Sequence, residues 1–133
     1  MIVVDANVIA YFFINGDRTA KARELHEWDP DWRVPALWRH EYLNVLATLA
    51  REGGAPLDAV RELWQRGFEW LGRAEHPVDM AAALELSVAN RVSAYDAQYV
   101  MLAMQLETIC VTEDKRLRNK FPGIAKPMRD LVG

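Results

Sequence analysis

Four acidic side chains, Asp5, Glu41, Asp96 and Asp114, each fall at or within a turn of an expected strand end or helix start. In an open parallel sheet the carboxyl ends of the strands gather along one edge, and ligands bind there. Carboxylates brought together raise one another's proton affinity unless a cation neutralises them. A hard divalent ion such as magnesium suits such an all-oxygen donor set. It typically takes one or two direct carboxylates, with waters and substrate phosphate oxygens in the other positions. A centre of this kind lowers the pKa of bound water and polarises a phosphoryl group, so the chemistry it supports is phosphodiester hydrolysis. The three histidines, His26, His40 and His76, have no short paired spacing, which argues against a zinc site of His or Cys type.

Each acid also has a structural reading. Asp5 can cap a helix starting near Asn7, and Glu41 can be a first-turn acid favoured by the helix dipole. Asp96 stands three residues after Ser93, the capping-box spacing, and Asp114 can sit in the first turn of a helix capped by Thr112. The cations Lys115, Arg116 and Arg118 can bind flanking phosphates or simply form a solvated helix face.

The elements that must position these groups alternate between strands and helices. Ile2-Val3-Val4 is an apolar run suited to a strand buried on both faces, and Asp5 ends it. Val8 to Ile14 reads as a short helix that is apolar nearly all round, followed by the turn Asn15-Gly16-Asp17 and an amphipathic helix from Thr19 to Trp28. Val34-Pro35-Ala36 is expected to be a short strand. The helix after it runs from about Leu37 to Glu52, with Tyr42, Val45, Leu46 and Leu49 inward and Glu41, Asn44 and Thr48 on an adjacent polar stripe. Further helices are expected from Leu57 to Leu71, from Asp79 to about Asn90, from Ser93 through Leu106, and over Lys115 to Lys120. Thr108 to Thr112 reads as a buried strand. Ala74 to Val78 and Ile124-Ala125-Lys126 read as marginal ones.

The alternation predicts a single α/β domain spanning residues 1–133, with a parallel sheet flanked by helices. The chain has 133 residues, is 51% hydrophobic and carries a net charge of -3, so it has material for a core but no basic coat for nucleic acid. The single cysteine, Cys110, lies in an apolar run and reads as a small buried hydrophobe in a reducing compartment. The amino terminus has no basic lead and its apolar run breaks at Asp5, so no targeting segment is expected. The longest apolar stretch, Val8 to Ile14, falls far short of the ~20 residues of a membrane span. A cytoplasmic protein is the expectation.

Four runs carry a resemblance: Ile2-Val3-Val4-Asp5-Ala6-Asn7-Val8, Glu41-Tyr42-Leu43-Asn44-Val45-Leu46, Ser93-Ala94-Tyr95-Asp96-Ala97-Gln98-Tyr99 and Val111-Thr112-Glu113-Asp114-Lys115-Arg116-Leu117. In that order they resemble the four acidic motifs of PIN-domain nucleases, and the chain's length is similar to that of the VapC-type toxins of toxin-antitoxin pairs. The resemblance implies a three-layer PIN-like fold with about four to five short parallel strands. It implies that Asp5 and Asp96 ligate magnesium or manganese most directly, and that Glu41 and Asp114 complete the pocket partly through water. Asn7 and Thr112 would support the first and last acids. It further implies an RNA substrate, a cognate antitoxin and a homodimer, with the apolar Tyr11-Phe12-Phe13 and the Leu63, Trp64 and Trp70 region as contact surfaces.

Rival readings lack residues they need. A phosphoacceptor receiver domain wants paired acids after its first strand and a lysine at the end of a late one, where this chain has Ala6-Asn7 and Glu113-Asp114. A haloacid-dehalogenase-type phosphatase wants an aspartate where Asn7 stands. There is no glycine-rich lysine loop for nucleotide binding. A non-catalytic interaction module with a structural acidic pocket is the remaining alternative.

Overall fold

Ile2, Val3 and Val4 are all buried and form the first strand, β1 (Ile2–Val4), of a four-stranded sheet in a computed structural model that describes residues 1–133. The chain continues through α1 (Ala6–Phe13), α2 (Thr19–Trp28), β2 (Trp32–Arg33), α3 (Trp38–Arg51), α4 (Leu57–Leu71), α5 (Met80–Asn90), α6 (Ala94–Gln105), β3 (Cys110–Val111), α7 (Lys115–Lys120) and β4 (Ala125–Lys126). A short 3-10 turn, Met128–Asp130, follows. All pairings are parallel in the order β2-β1-β3-β4, with Ile2 opposite Trp32, Val3 opposite Cys110 and Cys110 opposite Ala125.

The side-chain alternation of the strands divides the core into layers. Ile2, Val4 and Val111 pack on one face with Val8, Ile9, Leu25, Trp38, Tyr42 and Leu46. Val3 and Cys110 pack on the other with Tyr99, Leu102 and Ala103 of α6. A third cluster joins α5, α6 and α7 through Ala83, Val100 and Leu117. The result is the expected three-layer α/β arrangement with four strands. No helix is long and apolar enough to cross a membrane.

The second strand differs from expectation. It is Trp32–Arg33, while Val34 forms an isolated parallel bridge with Glu75. Val34 N–H donates to Ala74 O and Val34 O accepts from His76 N–H, so its backbone groups serve the 74–76 segment. Pro35 has no N–H to extend the ladder. The marginal strand expected at Ala74 to Val78 is reduced to that one bridge.

Of the apolar surface expected for partners, part is consumed internally. Phe12 lies within 5.3 Å, centroid to centroid, of the rings of Phe13, His26, Trp32 and Trp70. The more open apolar stripe is on α5, where Met80, Leu84 and Val88 are exposed at four-residue spacing.

Helices α3 and α4 meet closely because α4 presents Gly67 to the ring of Tyr42, whose hydroxyl donates to Leu63 O at 3.0 Å. A Cβ at position 67 would stand 2.7 Å from Tyr42 Cε2. Gly67→Ala should therefore destabilise the protein by about 1–3 kcal/mol through overpacking, despite the ~1 kcal/mol gain in helix propensity. Thermal unfolding checks this, and a raised midpoint would mean that the Tyr42 ring yields freely.

Candidate active site

Asp5 follows directly on β1 and caps α1, Oδ1 accepting from Val8 N–H at 3.0 Å. Its other oxygen, Oδ2, accepts a short hydrogen bond from the Thr112 hydroxyl, at the end of the neighbouring strand β3. Capping and site-building are thus one arrangement: both oxygens are fixed, and each retains a lone pair for a further partner. Thr112 Oγ1 accepts in turn from Asp114 N–H at 3.1 Å, linking the first and last acids. Thr112 thus stands between Asp5 and Asp114.

Asp114 is itself the cap of α7, its Oδ1 accepting from the N–H groups of Arg116 and Leu117. It does not occupy the first turn of a helix capped by Thr112; the tight turn after β3 delays the helix by two residues. Asp96 lies in the first turn of α6, with its N–H donating to the Ser93 cap at 3.0 Å. Glu41 lies in the first turn of α3 and accepts from the Tyr99 hydroxyl through Oε1 at 2.7 Å. The start of α3 is clamped by Glu75, which takes hydrogen bonds from Trp38 Nε1 at 2.7 Å and from both Nε and Nη2 of Arg39. A clamped first turn holds Glu41 at the sheet edge.

All four acids line one cavity of about 240 Å³, with Asn7, Asn44 and Tyr99 among its other walls. No lysine, arginine or histidine lines it. Burial pushes the Asp5 carboxyl up to about 6; the Thr112 and Val8 hydrogen bonds oppose this, and Glu41 and Asp96 add to it. Glu41 is raised first by burial and further by Asp96, against the Tyr99 hydrogen bond. Asp96 is raised by burial and then by Asp114, with Ser93 and Arg116 opposing. An acidic hollow with all-oxygen donors and no side-chain counter-cation fits a hard divalent metal. No three His, Cys, Asp or Glu side chains are gathered tightly enough to encage an ion by themselves.

One expectation is modified. Asn7 is exposed on the cavity wall and makes no hydrogen bond to Asp5, so it faces the cavity rather than supporting the acid. Lys115, Arg116 and Arg118 lie outside the cavity: Arg116 donates to Arg91 O at 3.1 Å and Arg118 to Glu113 O at 3.5 Å. Arg116 alone of the three contributes to the electrostatics of Asp96. Cys110 is buried and its thiol is pushed up by that burial, which suits the hydrophobe reading.

Two polar lining residues, Tyr99 and Asn44, lie outside the sequence expectations for the site. Tyr99 follows Asp96 by three residues and Asn44 follows Glu41 by three, a spacing that sets each pair on one helix face. That periodicity was the available signal.

Comparison with known proteins matches the PIN domain family over residues 2–120. Ribonuclease VapC3 of Pyrobaculum aerophilum is 31% identical over 135 residues, spanning 95% of this chain and 98% of that protein. Among solved structures, PAE2754 from Pyrobaculum aerophilum superposes with a TM-score of 0.78 at 21% identity, covering 98% of this chain and 92% of that one. FitAcB from Neisseria gonorrhoeae superposes with a TM-score of 0.76 at 16% identity, covering 98% and 100%. At these identities the two structures speak to the fold.

Proposed function

This chain belongs to the PIN-domain family, and from that premise we propose that it is a ribonuclease that hydrolyses RNA phosphodiester bonds with magnesium or manganese, as the toxin of a toxin-antitoxin pair. The observation that carries the reading is the cavity itself, four carboxylates and no base at the carboxyl ends of parallel strands. The similarity to a ribonuclease over nearly the whole of both chains supports the substrate class.

Asp5 and Asp96 would hold the metal directly, with Glu41 and Asp114 acting partly through water. The bound metal supplies an activated water and stabilises charge on the non-bridging phosphate oxygens. Thr112 keeps Asp5 in one orientation through its hydroxyl, and the Val8 N–H fixes the other oxygen. Asn7 and Asn44 offer amide donors and acceptors on the cavity wall to a phosphate or a ribose. Arg116, whose charge acts on Asp96 from outside the cavity, would meet a flanking phosphate, with Lys115 and Arg118 of the same helix as further candidates.

The antitoxin and a homodimer are proposed as partners. An apolar groove of about 330 Å³ between α3 and α4, lined by Leu43, Leu46, Leu57, Val60 and Trp64, supports the first, and the α5 stripe supports the second. A phosphoacceptor reading is disfavoured by the absence of a lysine from the cavity.

The decisive experiment incubates purified protein with a mixed cellular RNA pool in magnesium, in manganese and in chelator. Cleavage that requires metal is the expected result. A folded protein that binds manganese and leaves every RNA intact would favour the interaction-module reading instead.

A further inference from the structure

Tyr99 carries a hydroxyl into a place where packing asks for none. Its residue is 2% exposed and belongs to the apolar cluster of Val3, Leu102, Ala103 and Cys110. A phenylalanine would fill the same space, and a buried hydroxyl without a partner is costly. The hydroxyl instead donates to Glu41 Oε1 at 2.7 Å. Helices α3 and α6 pack on opposite faces of the sheet, so this bond reaches around its edge from one layer to the other. It is the single side-chain hydrogen bond joining those two helices. The other oxygen of the carboxylate, Oε2, is neither hydrogen-bonded nor sealed from solvent.

We infer that Tyr99 is a positioning residue for Glu41: its hydroxyl ties down Oε1 and presents Oε2 to the cavity, setting the place of Glu41 relative to Asp96 on the tyrosine's own helix. The inference rests on the metal-dependent reading proposed above. Glutamate has three rotatable side-chain bonds, and no other hydrogen bond holds its carboxylate. Without the hydroxyl, Glu41 samples several orientations, and the waters or metal it organises lose a fixed partner. Asp5 and Asp114 need no such tyrosine, because backbone N–H groups already hold an oxygen of each.

The test is a double-mutant cycle on the full chain. Manganese affinity is measured calorimetrically without RNA for wild type, Tyr99→Phe, Glu41→Ala and the double variant, with thermal unfolding in chelator as the folding control. Tyr99→Phe should weaken manganese binding about tenfold, the scale of losing a group that orients a ligand. It should cause little further loss in the Glu41→Ala background, where the hydroxyl has no carboxylate to hold. In RNA cleavage at saturating metal, kcat should fall while KM for RNA stays within about twofold, the pattern of a loss confined to the transition state. Tyr99→Met, which also lacks the hydroxyl, should reproduce these changes if the phenylalanine variant folds poorly. Equal manganese affinity in wild type and Tyr99→Phe, or the same loss in both backgrounds, overturns the assignment, the second by showing that the hydroxyl acts other than through Glu41. Wild-type protein that binds no manganese overturns the metal reading and this role with it. Tight wild-type binding with an unaffected Tyr99→Phe overturns the tyrosine's role alone.

Discussion

Asp96→Asn should lower metal-dependent RNA cleavage at least about a hundredfold, the scale of removing one preorganised electrostatic partner of a transition state. The substitution keeps the shape of the side chain and removes its charge. The fold should survive, because the cap of α6 is made by Ser93 Oγ with the Asp96 N–H, a bond that asparagine retains. The half-buried carboxylate is moreover under strain in the metal-free protein: burial and Asp114 both raise its pKa. Removing it therefore relieves repulsion, and the unfolding midpoint in chelator should hold or rise while activity falls. Cleavage at wild-type rates by the purified, folded variant would exclude Asp96 from the reaction. A fall in activity matched by a fall in stability would show that its role is structural.

The second expectation concerns stability without metal. Asp5 has an ordinary carboxyl value of 3.8 and is raised to about 6 by burial in the fold. The native state therefore binds more protons than the unfolded state between those values, and stability falls as pH rises through them. The whole shift corresponds to about 3 kcal/mol, or a midpoint change on the order of 10 °C for a domain of this size. Glu41 and Asp96 shift in the same direction for the same first cause. Acids lowered by ion pairs, such as Glu75 and Asp31, contribute in the opposite sense, so the comparison must isolate the site. Metal-free Asp5→Asn should gain stability relative to wild type as pH rises from about 4 to 7.5, since asparagine can still cap α1 through its carbonyl oxygen. Added manganese should stabilise wild type more at pH 7.5 than at pH 5, because protons compete for the same oxygens. Thermal unfolding across that range measures both effects. A gap between variant and wild type that does not change with pH would mean that the Asp5 carboxyl titrates normally.

The sequence was most readable where periodicity is long. The helices over Thr19–Trp28 and Leu57–Leu71 have the expected bounds, because ten or more residues repeat an apolar face. It was least readable in the strands, three of which have only two residues. Two residues carry no period, so Val34 and Trp32 compete on composition alone, and the choice is made by the 74–76 segment far along the chain. The four acids were legible from their places at element ends. Their hydrogen bonds were less so. The link between Thr112 and Asp5 depends on β1 lying beside β3, and the link between Tyr99 and Glu41 depends on two helices that share no local sequence. Asp114 shows the finer limit, since Thr112 and Asp114 are both good caps and only the turn decides which is used.

The pairing of the first strand with the third has a consequence for synthesis. Asp5 is made 107 residues before Thr112, its hydrogen-bond partner. Asp114 comes later still, and β4, which covers the outer edge of β3, is the last strand. Contacts between such distant segments form late, after the cost of closing a long loop has been met. A ribosome-bound chain therefore holds an incomplete acidic hollow until β3 and the residues just after it have been made. On the ribonuclease reading proposed above, a chain that has not yet reached Thr112 lacks the hydroxyl that holds Asp5 and has no complete hollow in which to gather a metal.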